Sequence, residues 1–241
     1  MNISAKAVGA TDITPALPSG WASNDLHVLW TENRQGDGVP ATPLGWTPID
    51  DGSAGTGAGD SVLIAAWYRV AVGGDTDPTV SYSGDHIHGR IAGFRGVDTT
   101  TPLGGWTPVV SASASNNTSV DFVGIVTDQD DTVVVWAGGH GDNNNAWSSP
   151  TYSTDDVTIY NSSDLTGGDS QLNLAFGNWA SQGDSGHFGA TINSTEKDVG
   201  ICFALAPAVA GAGGGVAWSL ASKGGLAGSG GLAGSSGGLA G

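Results

Sequence analysis

The stretch from Gly59 to Asp98, GDSVLIAAWYRVAVGGDTDPTVSYSGDHIHGRIAGFRGVD, narrows the folds open to this chain more than any other. Ser61 to Val72 is a long apolar run without helix caps, rich in Val, Ile and aromatics, and Gly73-Gly74 stops it. Thr79 to Ser83 alternates Val80 and Tyr82 with small polar residues. Ile87 to Val97 puts Ile91, Gly93, Arg95 and Val97 on one parity and Arg90, Ala92, Phe94 and Gly96 on the other. Runs of this length and content, bounded by Gly, Pro and Asp, read as antiparallel strands at the centre of a sandwich core.

The rest of the chain repeats the pattern. Leu26, Val28 and Trp30 alternate with His27, Leu29 and Thr31, a half-buried strand. Thr42 to Asp50 reads as a turn anchored by Trp46, Asp51 to Asp60 as a Gly-rich loop, and Ser111 to Ser119 as a polar loop. Val120–Thr127 and Thr132–Ala137 flank an acidic turn, Asp128 to Asp131. Leu172, Leu174 and Phe176 alternate, as do Val199, Ile201, Phe203 and Leu205. About eleven short strands with turn signals and no helix predict a sandwich or barrel. The expected fold class is all-β. A single antiparallel β-sandwich of jelly-roll or concanavalin-like type spans residues 20–207, an N-terminal arm precedes it (1–19), and an extended Gly-rich tail follows (208–241).

Charge excludes one class of partner. With 23 acidic against 7 basic residues the net charge is -16, which opposes binding to a nucleic-acid backbone. The lone Cys202 forms no intrachain disulfide and falls in an alternating strand, as a small buried hydrophobe does. No apolar run reaches the roughly 18 residues of a membrane helix, so no membrane insertion is expected. The first residues carry no export signal, so synthesis in a cytoplasm is expected.

Few motifs carry chemistry. GDSGH (Gly183 to His187) resembles the nucleophile turn of chymotrypsin-like proteases but has His187 where that family has Gly, and Gly-Asp-Ser is ordinary turn material. His86 and His88 have a spacing that metal sites use, with His140, Asp85 or Asp142 as a third ligand. The competing reading is two exposed loop histidines. Asp128–Asp131 and Asp142–Asn145 are oxygen-rich but lack EF-hand spacing, and read as solvated loops. No metal or cofactor and no catalytic residue is therefore assigned. Aromatics in loops are the stronger signal. Trp46 and Trp106 read as plugs at the ends of the sandwich. Trp147, embedded in GDNNNAWSS with Asp142, Asn143, Asn144 and Asn145, is the candidate contact for a glycan or a neighbouring protein.

The turn Gly45-Trp46-Thr47, the run GDSVLIAAWYRVA, the strand ending FRGVD at Asp98 and the late strand GICFALAPA together resemble a family of tailed-bacteriophage virion proteins with lectin-like or jelly-roll sandwiches. The resemblance implies a non-enzymatic structural component of the virion, made in the host cytoplasm. It would be displayed as a tail-fibre or baseplate adhesin or as a head decoration. Its partners would be other virion proteins and a host surface glycan. A lectin or a carbohydrate-active enzyme on the same fold is the alternative, and a pair of carboxylates facing each other in a groove would favour the enzyme.

The tail carries GGLAG three times, and Leu226, Leu232 and Leu239 recur six or seven residues apart. A pure spacer has no need of regular leucines. Glycine allows close backbone approach, so these leucines are expected to act as pegs in assembly, joining protomers as a homo-oligomer (a trimer) or docking to another virion protein.

Overall fold

The computed structural model describes residues 2–4, 7–9, 12–33, 38–55, 61–84, 86–141, 146–152, 157–164 and 170–208. Among these the structure is all-β, with no helix. In chain order the strands are Asn2–Ile3 (β1), Ala7–Gly9 (β2), Leu26–Asn33 (β3), Thr47–Gly55 (β4), Ser61–Val70 (β5), Ile87–Phe94 (β6) and Val109–Phe122 (β7). Val126–Thr127 (β8), Thr132–His140 (β9), Ser148–Thr151 (β10), Val157–Asp164 (β11), Ser170–Trp179 (β12), Gly183–Asp184 (β13) and Phe188–Leu205 (β14) complete them.

Two antiparallel sheets curl towards one another as a half-barrel, the form this β-sandwich takes. The first runs β1-β6-β3-β5-β4, with β2 also on β6. The second runs β10-β14-β9-β12-β11, with β7 also on β14. Alternation decides what fills the space between them. Leu26, Val28 and Trp30 of β3 and Val62, Ile64 and Ala66 of β5 meet Val135 and Ala137 of β9, Leu172 and Leu174 of β12, and Ile201 and Phe203 of β14. The opposite parity of β3 and β5, with Leu29, Leu63 and Trp67, is buried on the far side under Ile13, Trp46, Val80 and Tyr82. Both faces of the central strands are therefore covered, which explains why Ser61 to Val72 is nearly continuous in apolar residues rather than strictly alternating.

Three local readings need correction. Thr79–Ser83 is not a strand: Val80 makes one bridge to Ile13, and the segment serves as a lid over the first sheet. Thr47–Gly55 is strand, so the expected turn over Thr42–Asp50 ends at Trp46 and the expected loop over Asp51–Asp60 is strand as far as Gly55. This strand, β4, is an edge of the first sheet where Pro48 is tolerated at a shift of register. Ser111–Ser119 is strand too, because its small polar residues pair with β14 while remaining largely at the surface. The plug reading of Trp46 also changes, since its ring lies on the outer face of the first sheet with the Arg69 guanidinium 5.0 Å above it.

The segments that carry the phage-protein resemblance are structural. Arg95 of FRGVD donates from Nε and Nη2 to the two carboxylate oxygens of buried Asp25, each at 2.8 Å. Val97 bridges Pro207, and Asp98 N donates to Ala206 O at 2.9 Å, which ties FRGVD to the GICFALAPA strand. Strands also begin within the expected N-terminal arm, where β1 and β2 pair with β6.

The feature that positions the candidate site is a fold in the β7–β14 ribbon. Its register shifts between Thr191 and Asp198. The straight half pairs Ser113 with Asp198 and Val109 with Cys202. The other half pairs Ser119 with Thr191 and Phe122 with Phe188, and is joined there by β10. This second half doubles back over the outer face of the second sheet. Val120, Phe122, Phe188, Ala190 and Ile192 bury against Val134, Trp136, Ala175, Cys202 and Ala204. Two strand glycines make the close approach possible. A Cβ on Gly200 would lie 2.7 Å from the Phe122 ring, and one on Gly138 would overlap Trp147.

Candidate functional site

The folded-back half has one apolar face and one polar face, because side chains alternate along a strand. The apolar face is consumed by the aromatic cluster. The polar face forms an open groove of about 650 Å³. Register sets its floor: Asp121 of β7, Gly189 of β14 and Thr151 of β10 lie in one row across the three strands. Gly189 leaves the middle of that row empty, since a Cβ there would press on Thr151 Oγ1. Ser119, Ser149, Thr191 and Tyr152 add hydroxyls to the walls. Ser149 has φ 45°, a left-handed conformation that non-glycine residues seldom take, and such residues cluster at binding sites. His187 Nδ1 lies 2.8 Å from Asp121 Oδ1, with both side chains largely exposed. An exposed pair of this kind adds little stability, so its role in the fold is small.

A second cleft, of about 470 Å³, lies between the two limbs of β7 and shares Ser119 and Asp121 with the groove. Val123 N donates to Ser111 Oγ at 2.9 Å and closes the limbs on one another. Asp198 forms part of the wall and is 3% exposed. Burial pushes its carboxyl up to about 7; hydrogen bonding from Asn117 opposes this, and the charge of Asp121 adds to it. Opposite Asp198 on β9 stands His140, fully buried and held neutral, its pKa brought down to about 3 by desolvation.

Trp147, the expected contact residue, faces inward. It is 3% exposed and packs on Phe122 and Phe188, with ring centroids 5.6 and 4.8 Å away. Its Nε1 donates to His140 Nε2 at 2.8 Å. Its backbone exchanges hydrogen bonds with the Asn161 side chain, at 3.0 and 3.2 Å. The indole is thus structural and is not offered to a ligand for stacking. Polar neighbours in sequence did not keep it at the surface, because the glycine at 138 opened a hole of its size. Asp142, Asn143, Asn144 and Asn145 lie outside the described residues, as do Leu226, Leu232 and Leu239.

The other candidates resolve as follows. His86 and His88 are buried rather than exposed, and His88 sits beside Glu32 on the neighbouring strand. Among the described residues no three His, Cys, Asp or Glu side chains come together to hold a metal. In the acidic turn, Asp128 accepts from Trp106 Nε1 at 2.9 Å and Asp130 from Gln182 N at 2.7 Å. Ser185 of GDSGH is fully buried and its Oγ accepts from Ile125 N at 2.8 Å, while Asp184 accepts from Gly186 N at 2.9 Å. His187 turns to Asp121 instead.

Asp121, Thr151, Gly189 and Asp198 were not singled out by sequence reasoning. One signal was available for Asp198. It shares a parity with Gly200, Cys202 and Ala204, and that run of small residues marks a second covered face on β14. Asp121 and His187 meet across 66 residues, and nothing local announces their contact. In comparisons with known protein families, curated proteins and solved structures, nothing matches this chain.

Proposed function

We propose that this chain is a non-enzymatic surface component of a tailed-phage virion, and that the groove centred on Asp121 contacts a glycan. One observation carries the binding part. The polar side of the folded-back ribbon presents a carboxylate, an imidazole and several hydroxyls around a glycine-floored depression. Sugar hydroxyls need such interleaved acceptors and donors, and Tyr152 supplies an aromatic edge. The virion part is supported by the resemblance in Gly45–Thr47, the GDSVLIAAWYRVA run, FRGVD and GICFALAPA. The leucine-bearing tail fits assembly with other protomers or virion proteins.

A hydrolytic use of the same region is disfavoured by burial. Asp198 and Asp121 do border one cleft, but Asp198 is 3% exposed and a glycosidic oxygen has no approach to it. The test is binding to a panel of bacterial surface polysaccharides. Wild-type protein is expected to bind at least one, and Asp121→Ala and Gly189→Val each to weaken that binding at least tenfold while the fold is kept. Equal binding by all three proteins would remove the groove from the account.

A further inference from the structure

The second sheet ends on a strand edge that the fold leaves open. β11 pairs along one side with β12 in unbroken register from Val157 to Asp164, and no strand pairs with its other side among the described residues. An open edge of this length is a template for a further strand, and proteins usually blunt such edges with short strands, bulges, Pro or Lys. The other edges here are blunted. β1, β2, β8, β10 and β13 have two to four residues, and β10 holds Pro150. β4 holds Pro48 and a register shift, and its Gly52 packs closely on Val110 of β7, so those two edges cover one another. β11 has no Pro, no Lys and no bulge. Its inner face carries Tyr160, 37% exposed, which stacks on Phe176 at the margin of the intersheet core.

A segment of this chain suits that edge. Residues 209–241 lie outside the described residues. Within them Val216, Trp218 and Leu220 alternate with Ala217, Ser219 and Ala221, the pattern of a half-buried strand. We infer that residues 216–221 dock as an added strand on the free edge of β11 in the same chain, with Val216, Trp218 and Leu220 on the side of Tyr160 and Phe176. The distances allow it. Val157 lies level with Gly177, Val134 and Ala204 across the sheet, so β11 starts at the end where β14 finishes. The order β14-β9-β12-β11 makes three strand spacings, about 14 Å. Residues 209–215, mostly Gly and Ala, reach about 25 Å when extended. A short flexible link gives a local concentration in the millimolar range, which favours the chain's own segment over a neighbour's. Charge agrees with this placement. Residues 209–222 carry none, and Lys223 then arrives at the Asp164 end of β11. The segment lies ahead of the GGLAG repeats, so the inference stands apart from their reading in assembly and from glycan binding.

The experiment is amide hydrogen exchange of the full chain, compared with a chain ending at Ala208 and with Trp218→Asp in the full chain. Amides of Val157 to Asn161 that point away from β12 are expected to exchange at least about tenfold more slowly in the full chain than in either variant. A chain ending at Lys223, without the GGLAG repeats, is expected to keep that protection. Protection should be equal at about 1 and 100 µM protein, both well below the local concentration of a tethered segment. Three results would overturn the inference. Exchange rates within twofold of one another in the full chain and in Trp218→Asp would mean that the segment does not cover the edge. Protection that survives truncation at Ala208 would mean that β11 pairs with β11 of a second copy. Protection that appears only at the higher concentration would make the added strand a neighbour's. All the described ladders lie before Ala208, and Trp218→Asp leaves every described residue in place, so the point variant decides if the truncated chain fails to fold.

Discussion

Replacing Trp147 tests whether the polar groove stands on a rigid base. The indole is 3% exposed, lies against Phe122 and Phe188, and donates to His140 Nε2. Trp147→Ala removes the whole ring from a packed cluster, and such truncations cost about 3–5 kcal/mol. Trp147→Phe keeps most of the packing but leaves the buried His140 Nε2 without its donor. An orphaned buried acceptor costs about 1–3 kcal/mol, and the lost part of the ring adds to it. Urea denaturation of the variants gives both numbers. A double-mutant cycle with His140→Leu isolates the hydrogen bond, and a coupling of about 1–2 kcal/mol is expected because each single change strands the other partner. If Trp147→Ala costs less than about 1 kcal/mol, well below a buried tryptophan's value, the ring is not in the core. A coupling near zero would refute the bond to His140.

Three further outcomes follow from the same geometry. Gly200→Ala should destabilise by about 1–3 kcal/mol through overpacking against Phe122, read by the same denaturation assay; a neutral result would mean that the folded-back half is loosely docked. His140 has its pKa depressed by burial to about 3, so the stability linked to it is complete above its ordinary value of 6.5 and is lost as pH falls towards 3. Between pH 7 and 4 wild type should therefore lose roughly 3 kcal/mol more than His140→Gln, and parallel pH profiles would contradict the burial of a neutral imidazole. Deleting Gly224 to Gly241 should leave the melting temperature and solubility unchanged but abolish oligomerisation or incorporation into particles; normal assembly by the truncated chain would make the tail a spacer.

The fold was largely legible because period-two patterns and Val/Ile/aromatic runs between turn signals mark strands, although they did not show that both faces of the central strands are covered. The strands bearing Leu26–Trp30, Leu172–Phe176 and Val199–Leu205 were read from period-two patterns and are strands, but Leu26–Trp30, expected to be half-buried, is buried on both faces because a second layer covers the outer side of the first sheet. Misreadings arose where a segment's partner is remote. Ser111–Ser119 looks like a loop by composition, and only its pairing with β14 makes it a strand. Trp147 looks exposed among its neighbours in sequence, and only the gaps at Gly138 and Gly200, filled by aromatic rings, show how the ribbon closes over the sheet. The groove depends on the same closure. Asp121, Thr151 and Gly189 become neighbours through register across three strands, information that no single stretch of sequence holds.

The most direct test of the central claim, that the polar face of the folded-back ribbon is the binding surface, is amide chemical-shift mapping while host surface polysaccharide is titrated in. Perturbations are predicted to cluster on Ser119–Asp121, Ser149–Tyr152 and His187–Thr191, and to spare the Arg95–Asp25 end of the sandwich. Shifts confined to any other face, or none at saturating polysaccharide, would contradict it.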